Sequence, residues 1–275
     1  MAPKVLVSRR RLLGIGAVGA GSLLLGGCDD SVSENPKLLD FIDKAAAFTY
    51  RAQRLILPRG ALAPEYSEMD VAAVFRPNGS TSPSDPAYRA LARGNFADWR
   101  LKVDGLVERP MQLSLADLRA LPARTQITRH DCVEGWSCIG KWTGTPLSEV
   151  LNRAGVKPQA KFVLFHCADK FSQAGVPDAF DPNQSDTVDG GGVNYYESID
   201  FVDAYHPQTL LAYGLNGQAL PVTYGAPLRL RLGRQLGYKQ AKYVMRIELV
   251  DSFRRFGAGR GGYWEDQGYE WYAGI

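Results

Sequence analysis

Cysteine and histidine are both scarce in this chain: 275 residues hold four of the first and three of the second. The cysteines stand at 28, 132, 138 and 167 and the histidines at 130, 166 and 206, so no CxxC, CxxCH or HExxH pattern forms. A zinc ribbon, a covalently attached c-type haem and a zincin site therefore lack their ligands. The GxSxG nucleophile elbow and the GxxxxGK[ST] phosphate loop are missing too. A Ser-His-Asp or Cys-His hydrolase stays open with three histidines, but nothing in the spacing specifies one. An excess of one charge is also lacking, with 32 basic and 29 acidic residues. Lys4, Arg9, Arg10 and Arg11 precede Cys28 and no acid does, so without them the acids outnumber the bases by one. That balance gives no reason to expect nucleic acid as a partner.

What the chain does have begins at its N-terminus. "SRRRLLGIGAVGAGSLLLGGC" places arginines before a short, glycine-rich apolar run that ends at Cys28. The run is too short and too rich in glycine for a stable spanning helix. Its start resembles a twin-arginine export signal and its end a lipobox, in which Cys28 carries lipid and becomes the mature N-terminus. The alternative is a basic cap on an ordinary tail. The expected location is the periplasmic face of the inner membrane, with Asp29 resembling the signal that retains a lipoprotein there. Export by the twin-arginine route carries folded proteins, typically with a cofactor in place. "GIGAVG", Gly14 to Gly19, matches GxGxxG but follows arginines instead of a strand, so it is a by-product of signal-peptide composition.

With 45% apolar residues over its full length, the chain is long enough to build a real core. "NPKLLDFIDKAAAFTYRAQRLIL" reads as an amphipathic helix with Asn35 as cap and Pro36 in the first turn; Leu38, Leu39, Ile42, Ala45, Ala46 and Thr49 share a face. The Pro-, Ser- and Gly-rich "FRPNGSTSPSDPAYRALARGNF" is a long loop. Strands are expected at "WRLKVDG", "RTQITR", "KFVLFHC", "APLRLRLG" and "KYVMRIELV", and a hairpin turning at Asn216-Gly217. Short helices are expected at "SLADLRAL", capped by Ser114 with Asp117, at "PLSEVLNRAG" and at "SIDFVDAYH". The fold class is α+β, mostly antiparallel or mixed β-structure with short helices. The expected divisions are a signal peptide over 1–27, a helical extension with its loop over 28–95, the main domain over 96–253 and a Gly/aromatic tail over 254–275.

Cys132 closes a predicted strand and opens a segment bearing Gly135, Gly140 and Gly144, where a thiolate could project from a sheet edge; equally, a lone cysteine can be a small buried hydrophobe. "DCVEGWSCIGKWTGTPLSEVL", then "AKFVLFHC", "DAYHPQTLLAYGLNGQALPVTYGAPLRLRL" and "QLGYKQAKYVMRIEL", resemble in order the molybdopterin domain of the sulfite oxidase family, over about residues 96 to 250. "CVExWS" is similar to the branch of periplasmic catalytic subunits that reduce protein methionine sulfoxide. The sulfite-oxidising branch instead has an asparagine and paired arginines after its cysteine and an appended dimerisation domain, for which no residues remain here. Two rivals stand beside this reading: a sulfite dehydrogenase of the same fold, and a non-catalytic lipoprotein binding module.

The resemblance implies a sulfite oxidase-type fold, a molybdopterin cofactor with one molybdenum per chain, and Cys132 as the metal's protein ligand, a role suited to a soft thiolate. It implies cofactor binding by Asn78, Cys167, Tyr224, Arg229, Lys239, Gln240, Ala241 and Lys242, the basic residues meeting the pterin phosphate. Cys167 stands where the family often has threonine, and Tyr224 where the reductase branch has asparagine. Glu134 is either a proton-handling catalytic neighbour of Cys132 or a surface acid paired with a base. Trp136, Trp142 and Cys138 read as packing residues. The implied substrate is a small or protein-bound oxygenated compound. The implied electron partner is external, a membrane haem protein or a cytochrome. The aromatic tail either wraps the core or docks that partner.

Overall fold

The structure, a computed structural model, describes residues 36–56, 58–171 and 193–275. The expectations for the signal segment and Cys28 lie outside the described residues. The chain divides into two compact units, Met1–Ile56 and Leu57–Ile275. In the first, helix α1 spans Pro36–Ile56, as the apolar spacing and Pro36 at its start predict.

The second unit is built from two sheets. In the first, β1 (Leu101–Gly105), β2 (Met111–Leu113), β5 (Phe162–Phe171), β6 (Val193–Asp200) and β10 (Val244–Val250) lie in the order β2-β1-β10-β5-β6. All pairs are antiparallel except β1 with β10. In the second, β3 (Arg124–Asp131), β4 (Ser137–Pro146), β7 (Leu210–Leu215) and β8 (Gln218–Ala219) run in order, and β9 (Arg229–Arg231) pairs with β7. The helices are short: α2 (Pro86–Arg93), α3 (Leu115–Arg119), α4 (Leu147–Ala154), α5 (Phe201–Ala204) and α6 (Tyr263–Asp266). The α+β architecture is the one expected.

Local chemistry explains where these elements start and turn. At α3, Ser114 and Asp117 close a capping box, Asp117 N–H donating to the Ser114 hydroxyl at 3.1 Å and the Ser114 N–H to the Asp117 carboxylate at 2.8 Å. Asp85 caps α2 by accepting from Tyr88 N–H at 2.9 Å, with Pro86 in the first turn. Asn216 and Gly217 both take positive φ in the turn between β7 and β8, the conformation an Asn-Gly pair favours. β4 carries the register between its neighbours, and at Gly144 it meets β7 so closely that a Cβ would lie 2.3 Å from the Leu211 carbonyl oxygen. The main core gathers Trp99, Leu101, Phe165, Leu230 and Ile247 between the sheets and helices. A smaller cluster of Phe75, Cys138, Trp142, Ala212, Leu215 and Leu220 packs on β4 and β7.

A strap before the long loop runs beside β3. The Gln208 side-chain amide donates to Ala63 O at 3.0 Å and accepts from Ala63 N–H at 2.7 Å, imitating a strand. Tyr66 N–H donates to Ile127 O at 2.9 Å. His206 adds a fastening: its Nδ1 accepts from Gln208 N–H at 3.2 Å and Nε2 donates to Ala61 O at 3.0 Å, which requires the neutral ring. Burial, and then the Arg234 charge, hold the His206 pKa below its usual value; burial does the same to His166. A histidine with a depressed folded pKa binds protons more readily in the unfolded chain. Its stabilising contribution is whole above the unfolded pKa, near pH 6.5, and is lost as pH falls through the folded value. Urea denaturation is expected to show stability falling from pH 7 to 5.5 by at most about 1.4 kcal/mol per pH unit for each histidine. His206→Gln should remove part of that fall; a midpoint independent of pH in the parent protein contradicts it.

Candidate functional site

The site begins at the hairpin between β3 and β4. Cys132 follows the last residue of β3, its N–H donates to Trp136 O at 2.9 Å, and its own carbonyl accepts from Gly135 N–H at 3.1 Å. Gly135 holds φ at +85°, the left-handed conformation that lets so short a loop reverse. Asp131 secures the base of the hairpin, accepting from Ser137 Oγ at 2.5 Å and pairing with Arg129 at 2.7 Å. Cys132 is 8% exposed and belongs to none of the apolar clusters, whereas Cys138 and Cys167 each sit within one. Burial is the largest influence on its thiol and pushes the pKa up; backbone hydrogen bonding from Glu134 and the Arg76 charge act in the opposite direction. The free thiol therefore keeps its proton at neutral pH, and a bound soft metal would displace it.

Behind the hairpin lies a buried positive cluster. Arg229 and Arg231 alternate along β9, and their guanidinium carbons stand 4.9 and 4.5 Å from the Trp142 ring centre. Arg229 donates to Tyr224 O at 3.0 Å and Gln240 O at 3.4 Å. Arg231 donates to His130 Nδ1 and Thr128 Oγ1, both at 3.0 Å, and to Gln240 Oε1. Both guanidiniums are fully buried, and neither Nε has a partner. Among the described residues, neither makes an ion pair with a carboxylate. Burial lowers the Arg229 pKa to about 10, and burial followed by the Arg229 charge holds that of Arg231 well below its usual value. Two desolvated cations without an ion-paired carboxylate among the described residues are costly, by about several kcal/mol each. An anionic group fits this chemistry.

Lys242 links the long loop to the cluster. Its Nζ donates to Asn78 O at 2.7 Å, to Ser80 O and to Thr223 O at 3.4 Å. Gly225, at φ +110°, leaves room for it, since a Cβ there would stand 2.9 Å from Lys242 Cβ. The Tyr224 hydroxyl donates to Phe75 O at 2.7 Å. Ala241 O accepts from Leu230 N–H at 2.8 Å, which sets the Gln240–Lys242 segment against β9. The structure thus brings together Asn78, Tyr224, Arg229, Gln240, Ala241 and Lys242.

Three other expected residues stand apart from that cluster. Lys239 is fully buried, but its ammonium donates to Glu197, Glu265 and Ser198 O, which uses all three of its hydrogens. Cys167 lies in β5 opposite Val244, and burial, followed by the Asp169 charge, holds its thiol pKa well above the usual value. The exposed Glu134 accepts from the Trp136 indole N–H at 2.7 Å, so its partner is an aromatic donor on its own hairpin. Trp136 in turn lies 4.8 Å beneath the Arg76 guanidinium. Sequence reasoning missed His130 and Arg231. Burial, then the Arg231 and Arg229 charges, keep the His130 pKa well below normal, and its Nε2 has no partner. The signal available was alternation: Arg231 is two residues from Arg229, and His130 two from Cys132.

Residues 89–255 match the family described as "Oxidoreductase molybdopterin binding domain". The chain is 35% identical to the putative protein-methionine-sulfoxide reductase subunit YedZ1 of Azospira oryzae, over 98% of this chain and 88% of that one. It is 38% identical to the protein-methionine-sulfoxide reductase catalytic subunit MsrP of Xanthomonas campestris pv. campestris, over 62% of this chain and 50% of the relative, so the match spans half that relative's length. Among solved structures, the sulfane dehydrogenase SoxCD of Paracoccus pantotrophus aligns at TM-score 0.45 and 25% identity, covering 56% of this chain and 39% of that one.

If the cluster is built around an anion, Arg229→Met should leave the cofactor-free protein's urea stability within about 1 kcal/mol of the parent, because an uncompensated buried charge is removed. The same substitution should reduce the pterin retained by purified protein about tenfold, as expected from losing charged hydrogen bonds. Fluorescence of the released pterin measures the second effect, and unchanged retention contradicts the assignment.

Proposed function

We propose, starting from the fact that the chain belongs to the family of oxidoreductase molybdopterin-binding domains, that it is an exported, lipid-anchored enzyme that removes the oxygen atom from a sulfoxide-type substrate. In this reading Cys132 is the protein ligand of molybdenum, and Arg229 with the Gln240–Lys242 segment holds the pterin's anionic end. The single observation that carries the assignment is the pairing of two buried arginines that have no carboxylate partner among the described residues with a buried cysteine that belongs to none of the apolar clusters, on the neighbouring hairpin. The metal-pterin group, when bound, supplies the two-electron change that side chains lack.

The chain's own residues have separate tasks. Gly135 and the Cys132–Trp136 hydrogen bond fix the direction of the sulfur. Arg229 and Arg231 offer unpartnered N–H groups toward negative charge. Lys242 keeps the Asn78 loop against the site by holding its carbonyls. On the hairpin's outer side, Val133 is 45% exposed, and Arg76 stacks on Trp136 while Glu134 accepts from that same indole. One base and one acid cancel there, beside apolar surface. That balance favours a neutral sulfoxide over a sulfite dianion, for which a concentration of positive charge is the expected recognition device. The names of the relatives, which refer to reduction of protein methionine sulfoxide, support the same direction. Two electrons would enter from an external donor, a membrane haem protein or cytochrome. The oxygen would leave as water with two protons drawn from solvent, and the solvent-exposed Glu134, on the hairpin of Cys132, is the group we assign to pass them inward.

Protein exported through its own signal should contain one molybdenum per chain by metal analysis. It should reduce a methyl sulfoxide with a reduced dye and leave sulfite unoxidised in the presence of an electron acceptor. Sulfite oxidation without sulfoxide reduction would reverse the proposed direction, and metal-free protein would overturn the assignment.

A further inference from the structure

We propose that His130 is a further cofactor-contacting residue: its Nε2–H donates to the anionic metal-pterin group, and Arg231 positions the ring for that task. The inference rests on the reading of Cys132 as that group's protein ligand. The tautomer of the ring comes first. Arg231 Nη1 lies 3.0 Å from His130 Nδ1, and a guanidinium can only donate, so Nδ1 accepts and the neutral ring carries its hydrogen on Nε2. Arg231 is itself held in place. Its Nη1 also donates to Gln240 Oε1, and its Nη2 donates to Thr128 Oγ1 at 3.0 Å and to Arg129 O at 3.3 Å. Strands β3 and β9 together therefore set the tautomer.

That Nε2–H is fully buried and has no partner among the described residues. A buried donor left unpaired is costly and calls for an acceptor. The other two histidines are provided for: His206 uses both ring nitrogens, and His166 Nε2 meets Glu248 at 3.0 Å. Beside the His130 ring stand Phe75 and Trp136, each with its ring centre 5.8 Å away, and Gly237. A Cβ on Gly237 would come within 2.5 Å of Nε2 and 2.7 Å of Cε1, so the glycine leaves this edge of the imidazole uncovered. Gly237 also opens the turn that leads into Gln240–Lys242, the segment assigned to the pterin's anionic end. Burial alternates along β3 and past its end, with Thr128, His130 and Cys132 buried and Arg129 exposed. Two residues of extended chain, roughly 7 Å, separate the backbone of His130 from that of Cys132. A donor so placed favours the more negatively charged, reduced form of the group it faces.

Two substitutions divide the functions of the imidazole between them. His130→Asn keeps an acceptor where Nδ1 meets Arg231 but has no donor at Nε2, whereas His130→Gln places an N–H close to the Nε2 position. Redox titration of the molybdenum-loaded full chain, followed by its visible and paramagnetic resonance spectra, should give the Asn variant a lower midpoint potential than the parent. The Asn variant should also retain about tenfold less pterin through purification, and the Gln variant should stay near the parent in both measurements. Nitrogen-15 NMR of the parent, in which His130 is one of three histidines, should find the ring hydrogen on Nε2. A hydrogen on Nδ1 overturns the proposal whatever the variants do. So does an Asn variant that matches the parent, or a Gln variant that shifts as far as the Asn variant or farther, because the ring would then serve only to support Arg231. Metal-free parent protein would remove the reading of Cys132 and this inference with it; a metal-loaded parent with an indifferent Asn variant removes this inference alone.

Discussion

Two guanidiniums, those of Arg229 and Arg231, share the ring of Trp142 in a fully buried setting with no carboxylate paired to either among the described residues. Cation–π contact returns about 2 kcal/mol or somewhat more for a desolvated pair, less than the several kcal/mol that burial of a charge costs. The surrounding structure must therefore overrule the preference of these charges for water. It does so with carbonyls and neutral side chains: Tyr224 O, Gln240, Thr128 and the unprotonated His130. Every one of these partners is a neutral acceptor, and Asp131 at the base of the hairpin acts on Arg231 only through space, without an ion pair. In the proposed function this charge meets an anion, the phosphate of the pterin.

The architecture serves that arrangement. β9 carries the arginines, β7 joins β9 to β4, and β4 joins β7 to β3 and so to the hairpin. The close approach at Gly144 fixes one of these joints. On the other side, Lys239 is taken by Glu197 and by Glu265 of the C-terminal segment. Removing one partner from such a buried set leaves charge unpaired, at a typical cost of 3 to 5 kcal/mol, about a third of a domain's stability. Tyr238 donates to Glu270 O at 2.7 Å and Ala273 N–H to Gln235 at 3.2 Å, so the aromatic tail is bound along the segment that leads into Gln240–Lys242. Wrapping of the core, one of the two roles expected for the tail, accounts for these contacts.

What was legible in the sequence was local or patterned. Ser114 with Asp117 and Asn216 with Gly217 act over a few residues and reappear as written; the strands expected from alternation form at β9 and β10, but β9 is buried at every position and β10 does not alternate in burial. Cys132 stood out through the order of motifs around it. The destination of Lys239 was illegible because its partners are 42 and 26 residues away and belong to different elements. The contact between His130 and Arg231 spans 101 residues, so alternation marked both as same-face neighbours of site residues without indicating that they meet. Glu134 was ambiguous for another reason: an exposed acid can pair with any nearby donor, and here the donor is an indole two positions on.

X-ray absorption at the molybdenum edge, comparing the parent protein with Cys132→Ser, tests the central claim most directly because it counts sulfur neighbours of the metal. The expected result is one fewer sulfur in the variant. An identical sulfur count in the two proteins would contradict ligation through Cys132.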